Sequence, residues 1–117
     1  DDSRLLLSWA PYNEVFAFVI YYQQKTSVRA KKEVGQWTRE LIDSVLSLNG
    51  TYYLPYQLHA TGEQFLKAYP RATEWFQLKK RLDPTNKFRN MLSEFVDTKK
   101  KNKVHISFIL KILCLEM

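Results

Sequence analysis

Between Gly50 and Asn90 the chain is punctuated so closely that little freedom is left in how it folds: Thr61-Gly62-Glu63-Gln64, Tyr69-Pro70 and Asp83-Pro84 follow one another at short-helix intervals. The Thr-x-x-Gln spacing is that of a capping box. The threonine hydroxyl accepts from the backbone three residues on and the glutamine side chain reaches back, so a helix is predicted to start at Thr61. It carries Phe65, Leu66 and Tyr69 on one side and ends before Pro70, because the residue preceding a proline is pushed out of the helical region. A second helix is expected over Arg71 to Leu82. Trp75, Phe76, Leu78 and Leu82 lie close to one stripe of it, and Lys79, Lys80 and Arg81 gather in its last turns, where cations suit the helix dipole. Asp83-Pro84 then restarts the chain, with Asp83 as a helix cap, Pro84 at the first helical position and a short turn carrying Phe88 and Met91.

Upstream, Val15 to Tyr22 (VFAFVIYY) is a β-branched and aromatic run too short and bulky to prefer a helix. Its nearly continuous apolar character predicts a strand covered on both faces, the candidate for the centre of a sheet. Ser27 to Leu48 places Val34, Trp37, Leu41, Val45 and Leu48 at helical spacing, and Asn49-Gly50 closes that helix, with glycine expected to take the left-handed conformation. Thr51 to Tyr56 is a second, aromatic strand closed by Pro55. Leu5 to Trp9 reads equally as a short strand or a packed extended segment. Strand, long helix, strand fits either a parallel unit or an antiparallel α+β arrangement.

A chain of 117 residues, 15% of them aromatic, can bury one core. The formal charge of +6 permits anionic partners without pointing to one. Cys114 is the single cysteine, which excludes an internal disulfide, and with only His59 and His105 beside it no metal-ligand spacing exists. Glycine-rich phosphate loops, nucleophile–base pairs and paired carboxylates on one helix face are absent. After Phe95 the character changes. Residues 98–117 form a basic-apolar tail, Thr98 to Lys103 followed by about a dozen apolar residues, too few to span a bilayer. Docking on the core, a peripheral membrane contact and an extension peculiar to this chain all remain open for it.

From Gly50 to Phe88 the residues, taken as a string, resemble the C-terminal end of the FAD-linked oxidases of the vanillyl-alcohol oxidase and p-cresol methylhydroxylase superfamily. Such chains close with a Gly-x-x-Tyr strand, a helix ending in Tyr-Pro-Arg, an aromatic-rich helix ending in Lys-x-x-x-Asp-Pro, and an aromatic four residues beyond. Here these are Gly50 to Tyr53, Tyr69-Pro70-Arg71, Trp75-Phe76, Lys79 to Pro84 and Phe88, without a gap. The nearest branch is that of decaprenylphosphoryl-ribose oxidase and the sugar-lactone oxidases. The resemblance stops at the tail.

The resemblance implies an α+β fold, an antiparallel sheet with helices packed on one face, with residues 1–97 forming the C-terminal part of a substrate or cap domain. It implies an FAD-dependent oxidoreductase that oxidises an alcohol, a sugar or lactone among the candidates. The cofactor would be bound mainly by an upstream domain, and this chain alone would be inactive. Tyr53 and Tyr56 become the candidate catalytic residues, Tyr53 also meeting the flavin, and Gln57 and His59 the candidate substrate-binding residues. The branch has a lysine where this chain has Tyr56, replacing an ammonium by a near-neutral phenol, which leaves the substrate open. A cytoplasmic setting, with the tail as a membrane-peripheral contact, and self-association of the isolated chain are further expectations. The competing reading is a small basic α+β module that binds nucleic acid or a membrane surface. Against RNA, the strands lack the glycine-interleaved aromatic signature of an RRM, so no nucleic-acid partner is expected.

Overall fold

The structure, a computed structural model, describes residues 4–12, 14–55, 58–96 and 110–116. The chain is a small mixed helix-and-strand protein: β1 (Val15–Tyr21), α1 (Val28–Ser47), β2 (Thr51–Tyr52), α2 (Gly62–Ala68), α3 (Ala72–Leu82), α4 (Met91–Val96) and β3 (Leu110–Glu116). The predicted basic run Thr98 to Lys103 lies outside the described residues, as do Tyr56 and Gln57.

Local chemistry explains most boundaries. Ser27 caps α1, its Oγ accepting from the Ala30 amide at 3.2 Å. At the other end Gly50 N donates to Val45 O at 2.9 Å and Asn49 N to Leu46 O at 3.3 Å, the paired bonds of a Schellman close. The left-handed residue there is Asn49, at φ 57°, and not Gly50 as expected; asparagine tolerates that region better than other side chains. The Thr61–Gln64 capping box forms in both directions, at 3.1 and 2.9 Å.

Asp83 departs from its predicted role. It closes α3 rather than opening a helix after it. Its carboxylate accepts from the Lys87 and Phe88 amides at 2.8 and 2.9 Å and from Lys79 Nζ, while Asn86 sits left-handed at φ 51°. The helix that follows, α4, is capped instead by a reciprocal pair, with Ser93 N donating to Asn90 Oδ1 at 2.8 Å and Asn90 N to Ser93 Oγ at 3.0 Å.

The Lys79 ammonium, with the two amides, holds the Asp83 carboxyl down to about 2. A carboxyl depressed in the folded state adds stability that is present above its unfolded value near ~4 and lost as pH falls toward ~2. Asp83→Asn is therefore expected to lower the thermal midpoint at neutral pH and to flatten its fall between about pH 4 and pH 2. Equal acid sensitivity of the two proteins in a thermal-melt series would show that this carboxylate does not hold the loop.

The core forms where α1, α2 and the start of α3 meet. Ile42, Leu46, Ala60, Phe65, Ala68, Tyr69 and Ala72 are buried together, with Leu7, Tyr52, Leu54, Phe76 and Leu92 packed around them. Three residues of the predicted stripes face solvent instead: Leu48 is 60% exposed, Leu66 about half and Leu82 73%. α1 buries Val34 and Val45 as expected, while Trp37 is half-buried and meets Tyr22 edge-to-face at 5.4 Å.

The strands pair antiparallel in the order β1-β3-β2, with Val15 opposite Glu116 and Thr51 opposite Cys114. β1 is therefore an edge strand rather than the centre. It is also not covered on both faces, since Phe16 and Phe18 are each 51% exposed. An unbroken apolar run marks a strand whose faces want cover and does not say which cover is present. β2 is shorter than predicted, the chain turning at Leu54-Pro55, where the proline offers no ladder donor. Leu5 to Trp9 is neither a strand nor an extended segment but forms turns and bends, with Leu7 packed on the core.

Candidate functional site

Side chains alternate along an extended backbone, and this alternation separates Tyr52, the last residue of β2, from Tyr53 just beyond it. Tyr52 turns inward. Its ring meets Tyr69 edge-to-face at 5.7 Å, and its carbonyl oxygen accepts the Tyr69 hydroxyl. Burial pushes the Tyr52 phenol far above its ordinary value, so it stays neutral. Tyr53, next along, is half-buried and packs edge-to-face on Trp9 at 5.6 Å. The predicted partners Tyr56 and Gln57 fall outside the described residues.

His59 is half-buried in the connection to α2. Its carbonyl accepts from Arg39 Nη1 at 3.3 Å, and its Nε2 is enclosed. The ring lies against α1 at Gly35: a Cβ there would stand 3.5 Å from His59 Nδ1 and 3.2 Å from Arg39 Nη1. Gly35 is thus the point of close approach between the helix and the histidine segment. Of the four predicted residues, Tyr53 and His59 can be placed, and they take different neighbours, Trp9 for one and α1 for the other.

Sequence reasoning missed two features nearby. Gln64, predicted only as half of a capping box, is buried, and its amide nitrogen also donates to Arg39 O at 3.0 Å and Asp43 Oδ1 at 2.6 Å. It ties the start of α2 to the middle of α1. The second is a groove of about 480 Å³ between the N-terminal segment, the end of α1 and Tyr69-Pro70-Arg71. Leu5, Leu6 and Pro11 give it apolar walls, and Lys67 and Arg71 contribute cations, the latter already paired with Glu74 at 3.0 Å. Tyr53 and His59 do not line it. No periodicity marks it, because its walls come from segments far apart in the chain.

Among the described residues, no group of three or more His, Cys, Asp or Glu is placed to hold a metal, and no helix is long and apolar enough to cross a membrane. Compared with known proteins, the chain matches no family model, no curated protein and no solved structure.

Proposed function

We propose that this chain is the C-terminal, substrate-domain part of an FAD-dependent oxidoreductase that oxidises an alcohol, with sugars and lactones the first substrates to try. The observation that carries the reading is the ungapped string from Gly50 to Phe88, in which Gly-x-x-Tyr, Tyr-Pro-Arg, Asp-Pro and the following aromatic all keep their spacing. In this reading the strands and helices belong to an α+β substrate domain with helices on one face of an antiparallel sheet. An upstream FAD domain covers the exposed apolar residues of β1.

The described residues suit a contributor to a flavin site rather than its main holder. Pyrophosphate is normally cradled by backbone amides of a glycine-rich turn or helix N-terminus. Gly35 lies within α1, Gly50 follows it and Gly62 opens α2 inside a capping box, which leaves no glycine-rich turn. Tyr53, half-buried and steadied by Trp9, is the residue to meet the flavin ring. FAD supplies the hydride acceptor, and the protein's share is orientation, hydrogen bonding and exclusion of water. Tyr53 and Tyr56 orient the alcohol, while Gln57 and His59 bind it.

In the enzyme joined to its FAD domain, Tyr53→Phe and Tyr56→Phe should each slow flavin reduction by the equivalent of about 0.5–1.5 kcal/mol, and up to ~3 kcal/mol where the bond forms to developing charge. Stopped-flow reduction at unchanged rates in both variants would return the tyrosines to packing. This chain expressed alone should purify without flavin. Near-stoichiometric yellow flavin in it, or an upstream reading frame with no FAD-binding segment, would defeat the proposal.

A further inference from the structure

The segment from Lys79 to Arg89 combines two features that the flavoenzyme reading does not use. It holds five basic residues against one acid, Asp83, and Asp83 is committed to Lys79 and to the loop amides. Lys80, Arg81, Lys87 and Arg89 are all exposed, and among the described residues none of them forms an ion pair. Two apolar side chains of the same segment stand in water, Leu82 at 73% exposure and Phe88 at 80%, and Met91, two residues beyond Arg89, is 59% exposed.

The loop that presents them is held rather than loose. Asp83 O accepts from Asn86 N at 3.0 Å, and Lys79 Nζ also donates to Asn86 Oδ1 at 3.1 Å. Because the Phe88 amide is bonded to the Asp83 carboxylate, the Phe88 backbone is held beside Asp83, the residue that follows Leu82. Protruding apolar side chains surrounded by unpaired cations are suited to a surface that is anionic outside and apolar just beneath. Leu82 and Met91 have no π-face for a base to stack on, which weighs against nucleic acid. A folded acidic partner would need a pocket matched to each of the three side chains, whereas a lipid surface yields to them.

We infer that the Asp83-held loop is a peripheral docking site for an anionic lipid surface, with Phe88 and Leu82 entering the interface and Lys80, Arg81, Lys87 and Arg89 facing the headgroups. The site is independent of the flavoenzyme reading and draws on no residue of the tail.

The test uses the full chain and vesicles of phosphatidylcholine, alone or mixed with phosphatidylserine. An environment-sensitive fluorophore on Phe88→Cys, in a Cys114→Ser background, should shift to the blue with the anionic vesicles only, and salt should abolish the shift. In unlabelled protein, Phe88→Ser should weaken co-sedimentation about tenfold, for loss of a buried aromatic side chain. Lys87→Gln should weaken it about fivefold, one cation near an anionic leaflet being worth about 1 kcal/mol. Vesicle binding that leaves the label unshifted and is indifferent to Phe88→Ser would assign the contact to another segment and overturn the inference. So would absence of binding, or capture by polyglutamate beads that depends on Phe88 while vesicles are ignored, which would make the partner an acidic protein.

Discussion

Replacing Phe65 by alanine is expected to remove about 3–5 kcal/mol of stability, a large part of the ~5–15 kcal/mol that a domain of this size has. Phe65 is 1% exposed and sits where the two short helices meet, with ring centroids 5.5 Å from Tyr69 and 6.3 Å from Phe76. Its loss would leave a void beside Tyr69 at the end of α2 and Phe76 on α3, and rings fixed on two packed elements cannot readily close in to fill it. Phe65→Leu, which keeps much of the volume, should cost about 1.5 kcal/mol or less. Phe18→Ala, at a half-exposed position on β1, should move the denaturation midpoint little. Urea unfolding of the three variants reads the order directly, and a Phe65→Ala protein as stable as Phe18→Ala would show that the core is not centred here.

The second large effect is expected from Gln64→Glu, a change of one amide nitrogen to oxygen. That nitrogen donates both to Arg39 O and to Asp43 Oδ1. A carboxylate in its place sets acceptor against acceptor and charge against charge, at a cost of about 3 kcal/mol. The introduced carboxyl would be easier to protonate in the folded state than in the unfolded chain, so its folded pKa is raised. The deficit is then smallest below the unfolded value near ~4.3 and grows as pH rises through the folded one. Thermal melts of the variant should approach those of the parent at low pH and fall away toward neutrality. A deficit independent of pH would place the loss in packing and not in the amide's donors.

What could be read in the sequence is what neighbours along the chain decide. The capping box at Thr61, the stop before Pro70 and the extent of α1 depend on caps, proline sterics and backbone bonds within about five residues of chain, and they appear where expected. Where two adjacent residues could do one job, the pattern was ambiguous: Asn49-Gly50 offers two residues able to adopt the left-handed conformation, and Asn49 takes it. Asp83-Pro84 carries the signal of a helix start, but the carboxylate is captured by Lys79 from behind and by two amides ahead, so it serves a loop instead. Gln64's bond to Asp43 and the groove beside Pro70 rest on contacts between distant segments, which no periodicity encodes. The sequence put Tyr53 on a strand, whereas β2 ends one residue before it. That it packs on Trp9 while Tyr52 faces Tyr69 follows only from how β2 is turned over the core.

The way α1 closes has a bearing on how this protein ages chemically. An Asn-Gly step is the peptide most prone to cyclise, because a small following residue lets its amide nitrogen swing onto the asparagine side-chain carbonyl, and isoaspartate results. Here that nitrogen is engaged, Gly50 N donating to Val45 O, and the Asn49 backbone carbonyl accepts the Tyr12 hydroxyl at 3.2 Å. Reaching the cyclic geometry requires the last turn of α1 to open, and the cost of that local opening is added to the barrier. Isoaspartate at position 49 would therefore accumulate in proportion to the time this helix end spends undone, a slow record of its fraying written into the covalent chain.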